Sequence, residues 1–213
     1  NDSNELLLML DYGIFYEFIP MDTFGTLNQR VIRLNQVELN KNYALVITTN
    51  SGLWRYLIGD TIRFTSLSPY RIKVTGRTKH HINVFGEELM VENTDAAIAK
   101  TCALFDCEIV DYTVAPVFMS ETQKGSHEWI IEFKNPPEDV EKFSMILDEN
   151  IQSLNSDYEA KRYNNMTLNP LVLNVARKNL FYDWLKQNDK LGGQHKIPRL
   201  SNDRNYLESL LNL

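Results

Sequence analysis

The chain lacks the features that mark several large classes of protein. Its 213 residues include 22 Lys and Arg against 28 Asp and Glu, for a net charge of −6, so a broad basic face for duplex nucleic acid is not expected. No run approaches the 18 apolar residues of a membrane helix, and the first residues resemble no secretion signal. We predict a cytoplasmic protein without a nucleic-acid or membrane partner, although a local site for an anion such as ATP remains compatible with this charge.

Cysteine and histidine are too sparse to suggest a metal site. The two cysteines, Cys102 and Cys107, do not have the spacing of a zinc pair, and we predict that both are reduced thiols. His80 and His81 are adjacent, so on a strand they would face opposite sides. No G-x-x-x-x-G-K-[ST] or G-x-G-x-x-G motif is present, so any loop that cradles ATP phosphates must lie elsewhere.

The residues that are present predict two regions of different character. Short runs rich in Val, Ile, Tyr, Phe and Thr predict antiparallel strands in a meander or barrel over the first region; these runs are LLLML, IFYEFI, YALVITT, WRYLI, TIRFTS and YRIKVT. After Gly76, strands at 82–85, 107–117, 129–133 and 171–175 alternate with helices at 94–104, 136–154, 176–188 and 203–211, with Asn93 as the first N-cap. The second of these helices is predicted to have one apolar face, formed by Val140, Phe143, Leu147, Ile151 and Leu154.

We therefore predict an α+β fold with two parts. Residues 1–76 form an incomplete β-rich, barrel-like subdomain, and residues 77–213 form a small mixed α/β domain. Because the sequence starts without Met and enters a strand at once, we expect it to be a piece of a longer chain.

The stretch from Trp54 to Leu89 contains the first candidate site residues. Asp60 is predicted to lie in a tight Gly59-Asp60 turn between two strands, where its carboxylate could accept hydrogen bonds from both hydroxyls of a ribose. The alternative is an ordinary turn residue that binds its own backbone. Arg77 follows a strand, and its planar fork could reach a phosphate or a ribose; alternatively it is a surface arginine.

Other candidates have weaker support from the sequence. Lys196 follows the flexible Gly192-Gly193 pair and could bring a point charge to a phosphate or a developing carboxylate charge, or it could be a solvated lysine. Aromatic residues of the first region are interpreted as core and strand-pair residues, any one of which could instead stack on an adenine; they are Tyr12, Phe15, Trp54 and Tyr56.

Four blocks of the chain, in order, resemble the C-terminal part of the GH-three auxin-responsive promoter family, the acyl-acid amido synthetases, and most of all its bacterial branch. The blocks are LLLMLDYGIFYEFIP, YALVITTNSGLWRYLIGDTIRF, GRTKHHINVFGEEL and GQHKIPRLSNDR. The resemblance implies an adenylate-forming fold and the use of ATP, with Mg²⁺ expected from ATP chemistry. A carboxylic acid would become an acyl-adenylate, and after rotation of the small domain an amine or amino acid would displace AMP.

The resemblance also implies roles for single residues. Asp60 would bind the ribose hydroxyls, Arg77 would stand beside the domain junction, Lys79 would be the hinge, and Lys196 would be the mobile catalytic lysine. Asn83 stands where many relatives have a second lysine. Because the phosphate loop of the family is absent here, this fragment alone is not expected to catalyse; the alternatives are a non-catalytic binding or regulatory module and a ligase that forms acyl thioesters.

Overall fold

A computed structural model describes residues 5–78, 81–120, 123–165, 167–192 and 196–213. The chain divides into two compact units, Asn1–Lys79 and His80–Leu213. The first unit is built on an antiparallel sheet and the second combines a smaller sheet with helices. This composition confirms the predicted α+β class.

The first unit contains one six-stranded sheet in the order β1-β6-β5-β4-β2-β3, in which every described pair of neighbours is antiparallel. A single turn of 3-10 helix, Leu34–Gln36, follows the third strand. The strands are Leu6–Leu7 (β1), Ile14–Pro20 (β2), Ile32–Arg33 (β3), Asn42–Thr49 (β4), Tyr56–Leu67 (β5) and Tyr70–Arg77 (β6).

The predicted Gly59-Asp60 turn is wrong, because β5 runs through this dipeptide as one strand. Ala44 and Val46 of β4 pair with Thr61 and Leu57, so the three residues 58–60 lie opposite a single residue of β4. Such a bulge bends a strand and re-aims its side chains. Gly59 has a φ of +91°, a conformation that glycine adopts without a steric penalty, and this explains why the bulge forms here.

One face of this sheet carries the main core of the unit. The rings of Phe18, Tyr43 and Phe64 meet edge to face with centroids 5.2 to 6.1 Å apart, a favourable arrangement for aromatic groups. The aromatics assigned to the core from the sequence are instead exposed: Tyr12, Phe15, Trp54 and Tyr56. The reason for Phe15 is strand alternation, which turns it away from the face that Phe18 occupies.

The second unit contains a three-stranded sheet, a separate two-stranded pair and five helices within its described residues. The strands are His81–Ile82 (β7), Leu89–Met90 (β8), Glu108–Val117 (β9), Ser126–Asn135 (β10) and Val172–Val175 (β11). The helices are Val91–Phe105 (α1), Val140–Leu154 (α2), Ser156–Arg162 (α3), Leu180–Gln187 (α4) and Asn205–Leu211 (α5). The order β11-β10-β9 combines a parallel and an antiparallel pair.

The predicted helix starts in this unit require correction. Asn93 lies inside α1, where its side chain accepts a hydrogen bond from the Met90 N–H at 3.0 Å. The second helix begins at Val140, because Asp139 accepts from the Lys142 N–H and caps it. α4 begins only after Asn179, which has a left-handed backbone. The predicted apolar face of α2 is confirmed, since its residues Phe143, Leu147 and Ile151 are fully buried.

A buried polar cluster joins α2 to α3. The Arg162 guanidinium contacts Asp148 at 2.8 Å with both side chains almost fully buried, and the Tyr158 hydroxyl donates to the same carboxylate at 2.6 Å. Burial, reinforced by the Asp148 charge, raises the pKa of Tyr158 well above its ordinary value, so the phenol remains a donor. The cluster satisfies its buried polar groups and fixes the angle between the two helices.

Candidate functional site

The candidate nucleotide-binding residues of the first unit form one cross-strand pair. Asp60 on β5 is the register partner of Arg77 on β6, and the Arg77 Nε lies 3.0 Å from Asp60 Oδ1. The Arg77 side chain is 66% exposed and that of Asp60 is 32% exposed. The sequence analysis identified Asp60 and Arg77 as two separate candidates, and in the structure their side chains contact each other.

Hydrogen bonds on both sides of the Asp60–Arg77 pair hold β5 and β6 together at this point. The Thr78 N–H donates to the Gly59 carbonyl at 2.9 Å, and the Thr78 hydroxyl contacts the same oxygen at 3.3 Å. Beneath them the hydroxyls of Thr75 and Thr61 bond at 3.1 Å, and Thr61 is fully buried. The bulge therefore presents Asp60 from a rigid base.

The chemistry of the pair suits a polar ligand. An ionised carboxylate is an acceptor only and can serve two hydroxyl donors at once, while the guanidinium has further donors in a planar fork. An exposed ion pair contributes about 0 to 1 kcal/mol to stability, so Asp60 and Arg77 can separate around a ligand at little cost. A nucleotide ribose with its adjacent phosphate has this pattern of hydroxyls and negative charge.

Exposed aromatic rings precede the bulge along the same segment. Trp54 is 82% exposed, and Tyr56 at the start of β5 is also exposed. Between them Arg55 is held by hydrogen bonds from its Nε to Glu17 and from its backbone N–H to Thr48, both at 3.0 Å. An exposed ring offers an apolar face on which a base could stack.

In the second unit Lys196 is exposed and stands at the start of an anchored segment. Residues 197–201 run along the free edge of β9, where Leu200 forms a parallel bridge with Val114. The Val114 N–H donates to the Arg199 carbonyl at 2.8 Å, and the Ser201 N–H donates to the Val114 carbonyl at 3.1 Å. Ile197 and Leu200 are buried, so Lys196 projects from a fixed support.

Charged residues surround this anchored segment. Arg199 contacts Asp95 at 2.6 Å and lies 5.3 Å from the centre of the Tyr112 ring. Burial raises the pKa of Asp111, and the positive charges of Arg199 and Lys196 act in the opposite direction. The positive charge of Lys196 therefore partly offsets the effect of burial on the pKa of Asp111.

A buried pair that the sequence did not reveal holds the turn between β7 and β8. The Glu87 Oε1 lies 2.9 Å from the His127 Nε2, and both side chains have no exposed surface. The other carboxylate oxygen accepts from the Phe85 N–H at 2.7 Å. The sequence separation of 40 residues explains why the pattern around Glu87 gave no signal of a partner.

Three residues singled out from the sequence, Lys79, His80 and Gly193, lie outside the described residues; the hinge prediction for Lys79 is one of these cases. In the part of the chain that the structure describes, no three His, Cys, Asp or Glu side chains come close enough to share a metal ion. Likewise, none of the described helices has the length and apolar character needed to cross a membrane.

Comparison with known proteins gives two family matches that follow one another along the chain. Residues 7–77 match the model of the GH3 family central domain, and residues 92–205 match the model of the GH3 family C-terminal domain. The solved structure of the GH3.15 acyl acid amido synthetase aligns with a TM-score of 0.66 over 93% of this chain and 36% of that chain, at 23% identity. At this identity the likeness concerns the fold.

Similar proteins of known activity are considerably longer than this chain. It is 26% identical over 200 residues to the indole-3-acetic acid-amido synthetase GH3.3 of Arabidopsis thaliana, covering 87% of this chain and 33% of that protein. It is 23% identical over 204 residues to the 4-substituted benzoates-glutamate ligase GH3.12 of the same plant, covering 87% and 35%. The chain thus spans about a third of these relatives, and their plant origin lends no support to a special likeness to bacterial members.

Proposed function

Because the chain belongs to the GH3 family, we propose that it is the C-terminal part of an ATP-dependent ligase that joins a carboxylic acid to an amine. The acid reacts with ATP to give an acyl-adenylate and pyrophosphate. An amino acid or another amine then attacks the acyl carbon and AMP leaves, which forms the amide. Relatives are named for joining amino acids to indole-3-acetic acid or to benzoates, so small acids of this kind are the first candidates.

The observation that carries the proposal is the Asp60–Arg77 pair between the bulge of β5 and the end of β6. In the proposed reaction Asp60 accepts hydrogen bonds from the two ribose hydroxyls of ATP, and Arg77 turns its remaining donors toward the nucleotide. Binding replaces a weak exposed ion pair with charge-assisted contacts to the ligand. This exchange favours a site for a nucleotide over a purely structural role for either residue.

Lys196 is the proposed catalytic residue. Its ammonium would stabilise the charge that develops around the α-phosphate and the acid during adenylation, where a stabilised transition state raises the rate. For the second step we propose that residues 77–213 form a mobile domain and that Lys79 is its hinge, as the family resemblance implies. A hinge at this position would let one domain serve both half-reactions in turn.

The remaining conditions follow from the same chemistry. Mg²⁺ is proposed to arrive with the phosphates of ATP as part of the substrate complex. A cytoplasmic setting is proposed because Cys102 and Cys107 are free thiols, the usual state in a reducing compartment. Nucleic acids and membranes have no part in the proposed reaction.

The decisive experiment measures the two half-reactions separately in the full-length gene product. ATP–pyrophosphate exchange with a panel of aryl and indolyl carboxylic acids reports adenylation, and product formation with amino acids reports transfer. Asp60→Ala and Lys196→Ala are each expected to lower exchange by about 100-fold or more, as the loss of one electrostatic contact to a transition state usually does. The exposed Asp22 and Lys41, which form ion pairs at 3.6 and 2.8 Å, provide the matched controls Asp22→Ala and Lys41→Ala.

Each outcome separates the proposal from its rivals. Wild-type exchange in both site variants would refute the assigned roles. Exchange activity together with thioester formation from coenzyme A, and no product with any amine, would identify an acyl-thioester ligase. A full-length protein that binds ATP or an acid without any exchange would be a binding module of the same fold.

A further inference from the structure

One side chain of the second unit joins the two segments on which the proposed reaction depends. Asn202 follows the anchored segment that starts at Lys196. Its Oδ1 accepts a hydrogen bond from the Asn83 N–H at 2.9 Å, and its Nδ2 donates to the His81 carbonyl at 2.8 Å. The residues that it bridges are 119 and 121 positions away in the sequence.

The Asn202 side chain makes the hydrogen bonds that a neighbouring β-strand would make. Along a β-strand the carbonyl of one residue and the N–H two positions later point to the same side. The Asn202 carboxamide has an acceptor oxygen and a donor nitrogen, and it binds the His81 carbonyl of β7 and the N–H of Asn83, the residue after β7, as a neighbouring peptide would. β7 pairs with β8 at only two register positions. The Asn202 side chain adds two further hydrogen bonds to this short segment.

The position of β7 makes this bridge important for the proposed reaction. β7 begins two residues after Lys79, so it is the first described element beyond the proposed hinge. The segment 197–201 is fixed to β9 by its own backbone hydrogen bonds. Asn202 therefore links the first strand of the unit directly to the segment that follows Lys196.

We infer that Asn202 is a positioning residue that holds β7 and the Lys196 segment as one rigid body, so that movement at the junction sets the place of Lys196 accurately. This inference rests on the proposed function. Asn202 would touch neither ATP nor the acid and would act only through Lys196. Its loss should consequently lower the rate of adenylation while the affinity for ATP stays the same.

The first measurement tests the bridge itself and does not require activity. In the ¹⁵N-labelled chain, Asn202→Ala should speed hydrogen exchange at the Asn83 amide by about tenfold, since a protecting hydrogen bond is lost. Asn188→Ala is the matched control, because Asn188 also donates to a backbone carbonyl, that of Trp184 at 2.9 Å, but at the end of α4. An unchanged exchange rate at Asn83 in Asn202→Ala would overturn the inference.

The second measurement is a double-mutant cycle in the full-length gene product. We expect Asn202→Ala to lower the kcat of ATP–pyrophosphate exchange by about tenfold with KM for ATP within about twofold, and to cause no further loss in a Lys196→Ala background. An equal further loss in that background would show a general structural effect and overturn the inference. Wild-type exchange in Lys196→Ala would instead refute the proposed catalytic role of Lys196 while leaving the ligase activity in place, and the role of Asn202 would fall with it.

A conservative variant covers the case in which Asn202→Ala does not fold. Asn202→Asp keeps the acceptor for the Asn83 N–H and removes the donor to the His81 carbonyl. It should leave Asn83 protected and reduce kcat by less than the alanine variant does. If the Asn83 amide of Asn202→Asp exchanges as fast as a fully solvated amide, the Asn202 Oδ1 is not its acceptor.

Discussion

The Asp60–Arg77 pair of the first unit and the buried pairs of the second unit differ in their contact with water. In the first unit Asp60 is partly exposed at the bulge of β5, and its partner Arg77 is exposed at the end of β6. In the second unit the Asp148–Arg162 ion pair and the hydrogen-bonded Glu87–His127 pair are buried, whereas the candidate residue Lys196 is exposed. The same residue types therefore have different roles in the two units.

The difference follows from the cost of removing charge from water. An exposed pair is solvated with or without its partner, so it adds little to stability and remains available to a ligand. A buried pair cannot lose one member without leaving an uncompensated charge in the interior. The Asp60–Arg77 pair therefore remains accessible to solvent, while the buried pairs of the second unit hold α3 against α2 and hold the turn between β7 and β8.

The largest expected effect tests the buried cluster of the second unit. Asp148→Ala should lower the free energy of unfolding by about 3 to 5 kcal/mol, the usual cost of breaking a buried ion pair. The variant leaves the Arg162 guanidinium and the Tyr158 hydroxyl without their shared acceptor. Urea unfolding of the chain, followed through the fluorescence of the buried Trp129, measures the change.

The exposed pair of Arg177 and Asp183 supplies the control in the same unit. These side chains are 49% and 42% exposed and 2.6 Å apart, so Asp183→Ala should cost less than about 1 kcal/mol. If the two variants lose the same stability, burial does not govern the energy of these pairs, and the contrast drawn between the units is wrong.

A smaller loss is expected from the buried pair beneath the β7–β8 turn. Glu87→Ala leaves the Phe85 N–H and the His127 Nε2 without their acceptor. We expect a loss of about 2 to 3 kcal/mol, since unpaired buried polar groups carry a desolvation cost. The same urea titration applies, and Glu108→Ala is the control, because the Glu108 carboxylate is 59% exposed and pairs with Lys134 at the surface. A loss below about 0.5 kcal/mol in Glu87→Ala would mean that the turn is held by its other contacts.

The bulge of the first unit should respond less strongly than the buried pairs. Gly59 has a φ of +91° with no atom within 4 Å of an added Cβ, so any penalty comes from the backbone conformation alone. Gly59→Val should cost about 1 to 3 kcal/mol and Gly59→Asn less, because Asn tolerates positive φ better. Thermal unfolding of both variants gives the ranking, and equal costs would show that the bulge relaxes.

Local patterns in the sequence were enough to predict the strands and the apolar face of α2. Runs rich in β-branched and aromatic residues predicted every strand of the first unit except the short β3, although they divided the single strand β5 into two. The bulge at Gly59 was read as a turn, since a Gly-Asp dipeptide is compatible with either and only the pairing of β4 with β5 decides between them. Exposure of Trp54 likewise depends on which face the core occupies.

Contacts between distant residues could not be predicted from the same patterns. The Glu87–His127 pair and the two bonds of Asn202 join residues that the sequence separates by 40 to 121 positions. Nothing in the composition around these residues distinguishes them from ordinary polar positions. The resemblance to the family identified Asp60, Arg77 and Lys196 as candidates, but their support became visible only when the strands were paired.

The smallest effect concerns the thiols of the second unit. Burial, together with a hydrogen bond to Cys107, raises the pKa of Cys102 from 9.0 to about 12. At pH 8 the folded chain should therefore contain about a thousandfold less Cys102 thiolate than an ordinary cysteine, and alkylation by iodoacetamide should be slow until urea unfolds the chain. Rapid alkylation of Cys102 in the folded chain would contradict this burial.

The same shift determines the pH dependence of stability. Below pH 9 the Cys102 thiol is protonated in both the folded and the unfolded chain, so it has no effect on folding. Between about pH 9 and 12 the unfolded chain loses this proton while the folded chain keeps it, so stability falls as the pH rises. Cys102→Ala should remove this part of the slope in urea titrations at pH 8 and pH 10. Because the change is confined to a partly buried group of the second unit, Asp60→Ala in the first unit should leave the slope unaltered.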